Sequence, residues 1–319
     1  MARGAPGYRE WQHFVVTGAE VEIIVNFSVL GDTGSPRGKV LLLVREAGWE
    51  GGFEAVAKEE LLVRSGQIDA RFGQSGLSFQ GGAYHVHARL RSGLSVDLRL
   101  VPSGALFVAN NLEIGGSGSR SWLVEPRLVA EGEIRSGGRV RSLRGALAYH
   151  DHNWGSWGGD LLWEWGFGLP DREGAHPWSF VFGRLLDAPS GRALMQSLFL
   201  WDGASLVRMF RDARIDVVSE GVFQAGRVLK VPPIMGLLHP GSLVDVPERL
   251  TIHARSGEDR LTAEFRAESM VELLIPRQED LRTTEIDEVV GSVELRGIVL
   301  GRPVFMAGRG TFEFVHARS

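Results

Sequence analysis

The chain has 319 residues, 35 basic and 39 acidic side chains, a formal net charge of −4 and no cysteine. Its 44% hydrophobic and 23% charged residues are enough for about two globular domains with ordinary cores. Disulfides, thiolate nucleophiles and cysteine-ligated zinc are excluded, and the charge balance offers no basic face for nucleic acid.

The first ten residues lack the apolar core of a signal peptide, and no stretch is apolar over 18 residues. No integral membrane segment and a cytoplasmic location are therefore expected. Residues 21–29, 39–45, 83–91, 120–130 and 139–149 alternate or run apolar, rich in β-branched and aromatic residues, and read as strands. The same holds for 163–167, 179–186, 193–200, 250–254, 261–268 and 303–315. Gly115-Gly116-Ser117-Gly118-Ser119 and Gly137-Gly138 read as turns. Helix is expected only at 54–64, with 277–289 irregular or helical. Many short strands separated by glycine turns predict an all-β protein, a sandwich or barrel. A single sheet of this length would be large, so two antiparallel β domains are expected, 1–157 and 158–319.

The segment with the clearest chemistry is Tyr149-His150-Asp151-His152-Asn153-Trp154-Gly155, followed by Trp157, Trp163, Trp165 and Phe167. Extended, it places Tyr149, Asp151 and Asn153 on one face and His150, His152 and Trp154 on the other. Trp163, Trp165 and Phe167 share one face of the next strand. Five of the nine tryptophans fall within 25 residues, Trp154 to Trp178. A carboxyl group kept dry by indoles favours its neutral form, so Asp151 could act as a general acid. Aromatic faces could stabilise the cation made by that proton. The competing reading is that Asp151 and Asn153 cap backbone groups at a corner, with the indoles as plain core.

The pattern Tyr149-x-Asp151-x-Asn153-Trp154-Gly155, then Trp163-x-Trp165, resembles a lipocalin-like superfamily. It holds the carotenoid 1,2-hydratases (hydroxyneurosporene synthases), AttH-like proteins, tocopherol cyclases and Diels–Alderase-type pericyclases. Glu10-Trp11-Gln12-His13-Phe14 is similar to the family's opening, and Gly308-Arg309-Gly310-Thr311-Phe312-Glu313 to its closing strand. The resemblance implies two lipocalin-like barrels with a hydrophobic pocket at or near their interface. It also implies chemistry without an organic cofactor on an isoprenoid or polyene: olefin protonation followed by hydration or cyclisation, or a pericyclic reaction. On that pattern Asp151 is the proton donor and Tyr149 and Asn153 hold it or the trapping nucleophile. Trp11, Trp154, Trp157, Trp163, Trp165 and Phe167 line the pocket around a hydrophobic small molecule.

Two other readings stay open. His85-x-His87 and His150-x-His152 each place two imidazoles on one strand face, as a β-barrel metal site would require. Alternatively, the pocket only binds or carries a lipid or pigment. A serine hydrolase is disfavoured because no Gly-x-Ser-x-Gly elbow occurs. Glu164 faces away from its tryptophan neighbours, and Asp160 reads as a turn residue. The apolar segment 231–238, ahead of His239-Pro240, could lid the pocket, and His13 could reach it if the first strand joins the same domain.

Overall fold

A computed structural model describes residues 7–18, 20–31, 36–64, 66–113, 118–157, 161–187, 190–224, 228–238, 245–276 and 283–317. The chain divides into two units, Met1–Gly159 and Asp160–Ser319, each built on one sheet.

The first unit carries β1 (Tyr8–Thr17), β2 (Glu22–Leu30), β3 (Arg37–Arg45), β4 (Trp49–Val56), β5 (Leu61–Val63) and β6 (Asp69–Phe72). It continues with β7 (Ser75–Gln80), β8 (Ala83–Arg89), β9 (Ser95–Pro102), β10 (Phe107–Glu113), β11 (Gly118–Ser136) and β12 (Arg139–Trp157). Their order is β4-β3-β2-β1-β12-β11-β9-β8-β7-β6-β5, with β10 added to β11. The alternation read from the sequence is what sorts the faces. Phe14, Val25, Phe27, Leu42, Val86, Leu98, Leu128 and Ala148 meet in one core. β3 also touches β6 and β8 across this core, so the sheet curls over its inner face.

β11 and β12 form one long hairpin closed at Gly137-Gly138, whose φ values of 54° and 79° suit a two-residue turn that follows the twist of the strands. The ladder is interrupted between Glu125 and Leu128, leaving Pro126 and Arg127 opposite Tyr149 alone. Proline has no N–H to give the ladder, so the bulge falls where pairing is already weakened.

The second unit carries β13 (Leu161–Pro170), β14 (Trp178–Asp187), β15 (Ala193–Asp202), β16 (Ser205–Arg211), β17 (Ile215–Glu220) and β18 (Leu229–Val231). After α1 (Pro233–Leu238) come β19 (Arg249–Ser256), β20 (Asp259–Pro276), β21 (Thr283–Val299) and β22 (Arg302–Ala317). The order is β16-β15-β14-β13-β22-β21-β20-β19-β17, with β18 added to β20 as the one parallel pair among the described residues. β15 and β16 contact β17 and β19, bringing the ends of this sheet almost to closure around Phe180, Phe182, Phe265 and Phe312. The chain is thus all-β with two antiparallel lipocalin-like sheets, as the sequence predicts.

Two expectations are corrected. Residues 54–64 are not a helix: β4 runs to Val56, a single 3₁₀ turn spans Lys58–Glu60, and β5 follows. Leu61, Leu62 and Val63 pair with Phe72, Arg71 and Ala70, and that pairing outweighs local helix propensity. Residues 283–289 are regular strand in β21 and pair on both sides. Residues 277–282, Gly115-Gly116-Ser117, Asp160 and His239-Pro240 lie outside the described residues. No helix is long and apolar enough to cross a membrane.

Candidate active site

β12 is extended through the motif, so successive side chains alternate between faces. Ala148 lies in the first unit's core, and His150 stacks on the core residue Phe14 at 4.1 Å between ring centroids. Tyr149, Asp151 and Asn153 therefore occupy the opposite face. All three are buried, with Asp151 4% exposed.

The neighbours of this face are set by register. In β1, His13 is opposite Asp151 and Trp11 is opposite Asn153. In β11, Val124 and Trp122 take the corresponding places, and Arg120 is opposite Gly155. Directly opposed residues share a face, so the opening motif and the central motif form one surface. Trp11 meets Trp157 edge-on at 5.7 Å, and the Arg120 guanidinium lies over the Trp11 ring at 5.6 Å. Gly155 presents no side chain between Arg9 and Arg120, which leaves the Arg120 stem room to reach Asn153.

The polar groups are wired in sequence. Arg120 donates from Nε (2.9 Å) and Nη2 to Asn153 Oδ1. A guanidinium only donates, so that atom is the amide oxygen and the Asn153 orientation is fixed. Asn153 Nδ2 then donates to Asp151 Oδ1 at 2.8 Å, and the Tyr149 hydroxyl donates to Oδ2 at 3.1 Å. One strand over, the Ser28 hydroxyl donates to Asn26 Oδ1 at 2.5 Å, and Asn26 Nδ2 donates to His13 Nδ1 at 3.2 Å. His13 is therefore the Nε2–H tautomer, and burial pushes its imidazole down to about 4, leaving it neutral at neutral pH.

The inner face of the same strands is a different environment. His150 gives its Nδ1 proton to the His13 carbonyl at 3.0 Å, and burial pushes it down to about 3. Glu125 lies opposite it in β11, raised by burial and partly offset by a hydrogen bond from Tyr84. His152 donates from Nε2 to Glu10 Oε1 at 3.1 Å, and its ring sits 4.5 Å from that of Trp154. Trp154 and His152 line a cavity inside the first unit and do not share the face of Asp151.

Trp163, Trp165 and Phe167 share one face of β13 in the second unit, with the Trp163 indole donating to Glu313. Trp165 and Phe167 lie opposite Glu313 and Thr311, so the closing motif in β22 pairs with this aromatic strand. Glu164, on the other face, holds Arg184 in a bidentate pair at 2.6 and 2.8 Å.

The four histidines do not converge. His85 and His87 lie on the outer face of β8, His85 exposed and His87 bound to Asp97 at 2.5 Å. His150 and His152 point to the inside of β12, three strands further along the sheet. Among the described residues the group spaced for a cation is instead Glu272, Glu285 and Asp287, on the second unit's inner face. Lys230 lies 2.8 Å from Glu272 there. The sequence reading missed that cluster, Arg120 and Asn26.

The sequence matches no protein-family profile and no curated protein. Solved structures do match. A putative AttH from Nitrosomonas europaea superposes with a TM-score of 0.67 at 12% identity, over 98% of this chain and 92% of that one. The fold is the AttH-like one. Kievitone hydratase from Nectria haematococca follows at TM-score 0.64 and 12% identity, over 98% and 91%. CghA with Sch210972 gives 0.56 and 11%, over 98% and 89%. Similarity at this level extends the fold over the whole chain and leaves the chemistry to the residues.

Proposed function

We propose that the chain is a cofactor-independent enzyme for a hydrophobic isoprenoid or polyene, in which Asp151 protonates an olefin and water or an internal hydroxyl traps the cation. The observation that carries this reading is the buried Asp151 carboxyl, which accepts from Tyr149 and Asn153 on a strand face that also carries Trp11, Trp122 and Trp157. A positioned carboxylic acid can give its proton to an olefin carbon. Two donors on the carboxylate steady the conjugate base once the proton has left. One structural neighbour is itself named a hydratase, which supports this class of reaction on the fold.

In this scheme the proton passes from Asp151 to the less substituted olefin carbon, and the π pair forms the new C–H bond. The adjacent carbon becomes cationic. A water or hydroxyl oxygen then bonds to it, and its displaced proton returns to the Asp151 carboxylate, closing the cycle without redox change. The pericyclic alternative uses the same face for shape alone and moves no solvent proton. Turnover of prenylated phenols and linear polyenes in D₂O separates them. One carbon-bound deuterium per product supports the proposal, and product free of deuterium overturns it.

A further inference from the structure

The inner side of the motif strands faces a second space. A cavity of about 350 Å³ lies within the first unit, bounded by Phe27, Val29, Ile68, Phe72 and Leu77 and by the Trp154 ring. One polar wall comes from β1 and β12. Tyr8 donates its hydroxyl to Glu10 Oε2 at 2.6 Å, and His152 donates to Glu10 Oε1. Gln12, next along the same face and only 8% exposed, has an amide oxygen with no hydrogen-bond partner. A buried acceptor left unmet costs roughly 1–3 kcal/mol, so a natural protein usually has something to put there.

We propose that this cavity is a binding site, separate from the Asp151 face, for a compact apolar molecule carrying a hydroxyl group. The volume is near the lower end for small-molecule sites, roughly 300–1,000 Å³, and suits one or two rings. The lining is apolar except at Tyr8, Glu10, Gln12 and His152 and at the exposed Gln67 and half-buried Asp69. Because the Glu10 carboxylate already accepts from Tyr8 and His152, and Asp69 is paired with Arg64, Gln12 Oε1 is the buried acceptor without a partner and selects a ligand donor. An apolar ligand without a donor would fill the space and leave that oxygen unmet. The strands make the two sites back to back: Trp11 and His13 face Asp151, while Glu10 and Gln12 face the cavity.

The test is calorimetric titration of the full chain with 1-naphthol and with 1-methylnaphthalene, which has nearly the same shape and no donor. We expect one saturable site that takes 1-naphthol at least about fivefold more tightly. Gln12→Leu should bring that ratio close to one, and Ile68→Trp should abolish binding of both. Asp151→Asn should leave naphthol affinity unchanged. Absence of saturable binding, or a ratio of one in the unmodified chain, overturns the proposal. So does loss of naphthol binding in Asp151→Asn with retention in Ile68→Trp, which would put the molecule on the other face. Should Ile68→Trp not fold, the change of ratio in Gln12→Leu decides alone.

Discussion

Asn153 presents its amide nitrogen to Asp151, at 2.8 Å, because its carbonyl oxygen is already held by Arg120. An unheld carboxamide could turn its oxygen toward the carboxyl group, where it would repel the conjugate base. In the proposed reaction Arg120 acts through Asn153 as a positioning residue, and Asp151 inherits a fixed donor.

Arg120→Met should lower kcat about tenfold while KM moves little, since the lost effect is on charge arising in the reaction. The discriminating readout is coupling. Adding Asn153→Ala to Arg120→Met should cost almost nothing beyond Asn153→Ala alone, whereas independent structural roles would add. Steady-state kinetics on the four proteins measure this, and additive losses would contradict the wiring.

Gly155 is the glycine of Asn-Trp-Gly and has φ of 154°, a region that side chains rarely occupy. A Cβ there would stand 2.2 Å from the Ser119 carbonyl oxygen. Gly155→Ala should cost about 3 kcal/mol, combining backbone strain with local parting of β11 and β12. Gly137→Asn is the control. Its φ of 54° suits asparagine and its Cβ would meet nothing within 4 Å, so it should cost less than about 1 kcal/mol. Urea unfolding of both variants checks the contrast, and equal losses would count against it.

His13 and His150 make stability depend on pH. Folded, they are pushed down to about 4 and about 3, while the unfolded imidazoles titrate near 6.5. As pH falls through 6.5 the unfolded chain takes up protons that the folded chain does not, so folding weakens. Their contribution is complete above pH 6.5 and is lost progressively toward pH 4 and 3. At pH 5 each costs roughly 2 kcal/mol relative to neutral pH. Thermal melts at pH 7.5 and 5.0 should show a smaller gap in His13→Gln, whose side-chain oxygen still accepts from Asn26. An unchanged gap would remove His13 from the account.

The division of β12 into a Tyr149-Asp151-Asn153 face and a His150-His152-Trp154 face is legible in the sequence because an extended strand fixes it locally. What lies beside each face is not. Arg120 opens a conventional strand run after a glycine-rich stretch, and only the pairing of β11 with β12 brings it to Gly155. His13 illustrates the same limit: its register opposite Asp151 joins residues more than a hundred positions apart. Trp154, adjacent in sequence to Asn153, turns out to line the inner cavity. In β21 the run Glu285-Ile286-Asp287-Glu288 has the composition of a solvated loop, yet these carboxylates are buried in a strand. Residues 54–64 fail in the other direction, their helix formers overruled by pairing with β6.

The most direct measurement is the rate of Asp151→Asn on a substrate that the unmodified chain converts. Asparagine keeps the size and can still meet Tyr149, yet it has no proton acidic enough to give to carbon. Proton transfer by Asp151 predicts a fall of about 10²-fold or more with ligand affinity retained. A rate within a few-fold of that of the unmodified chain would contradict it.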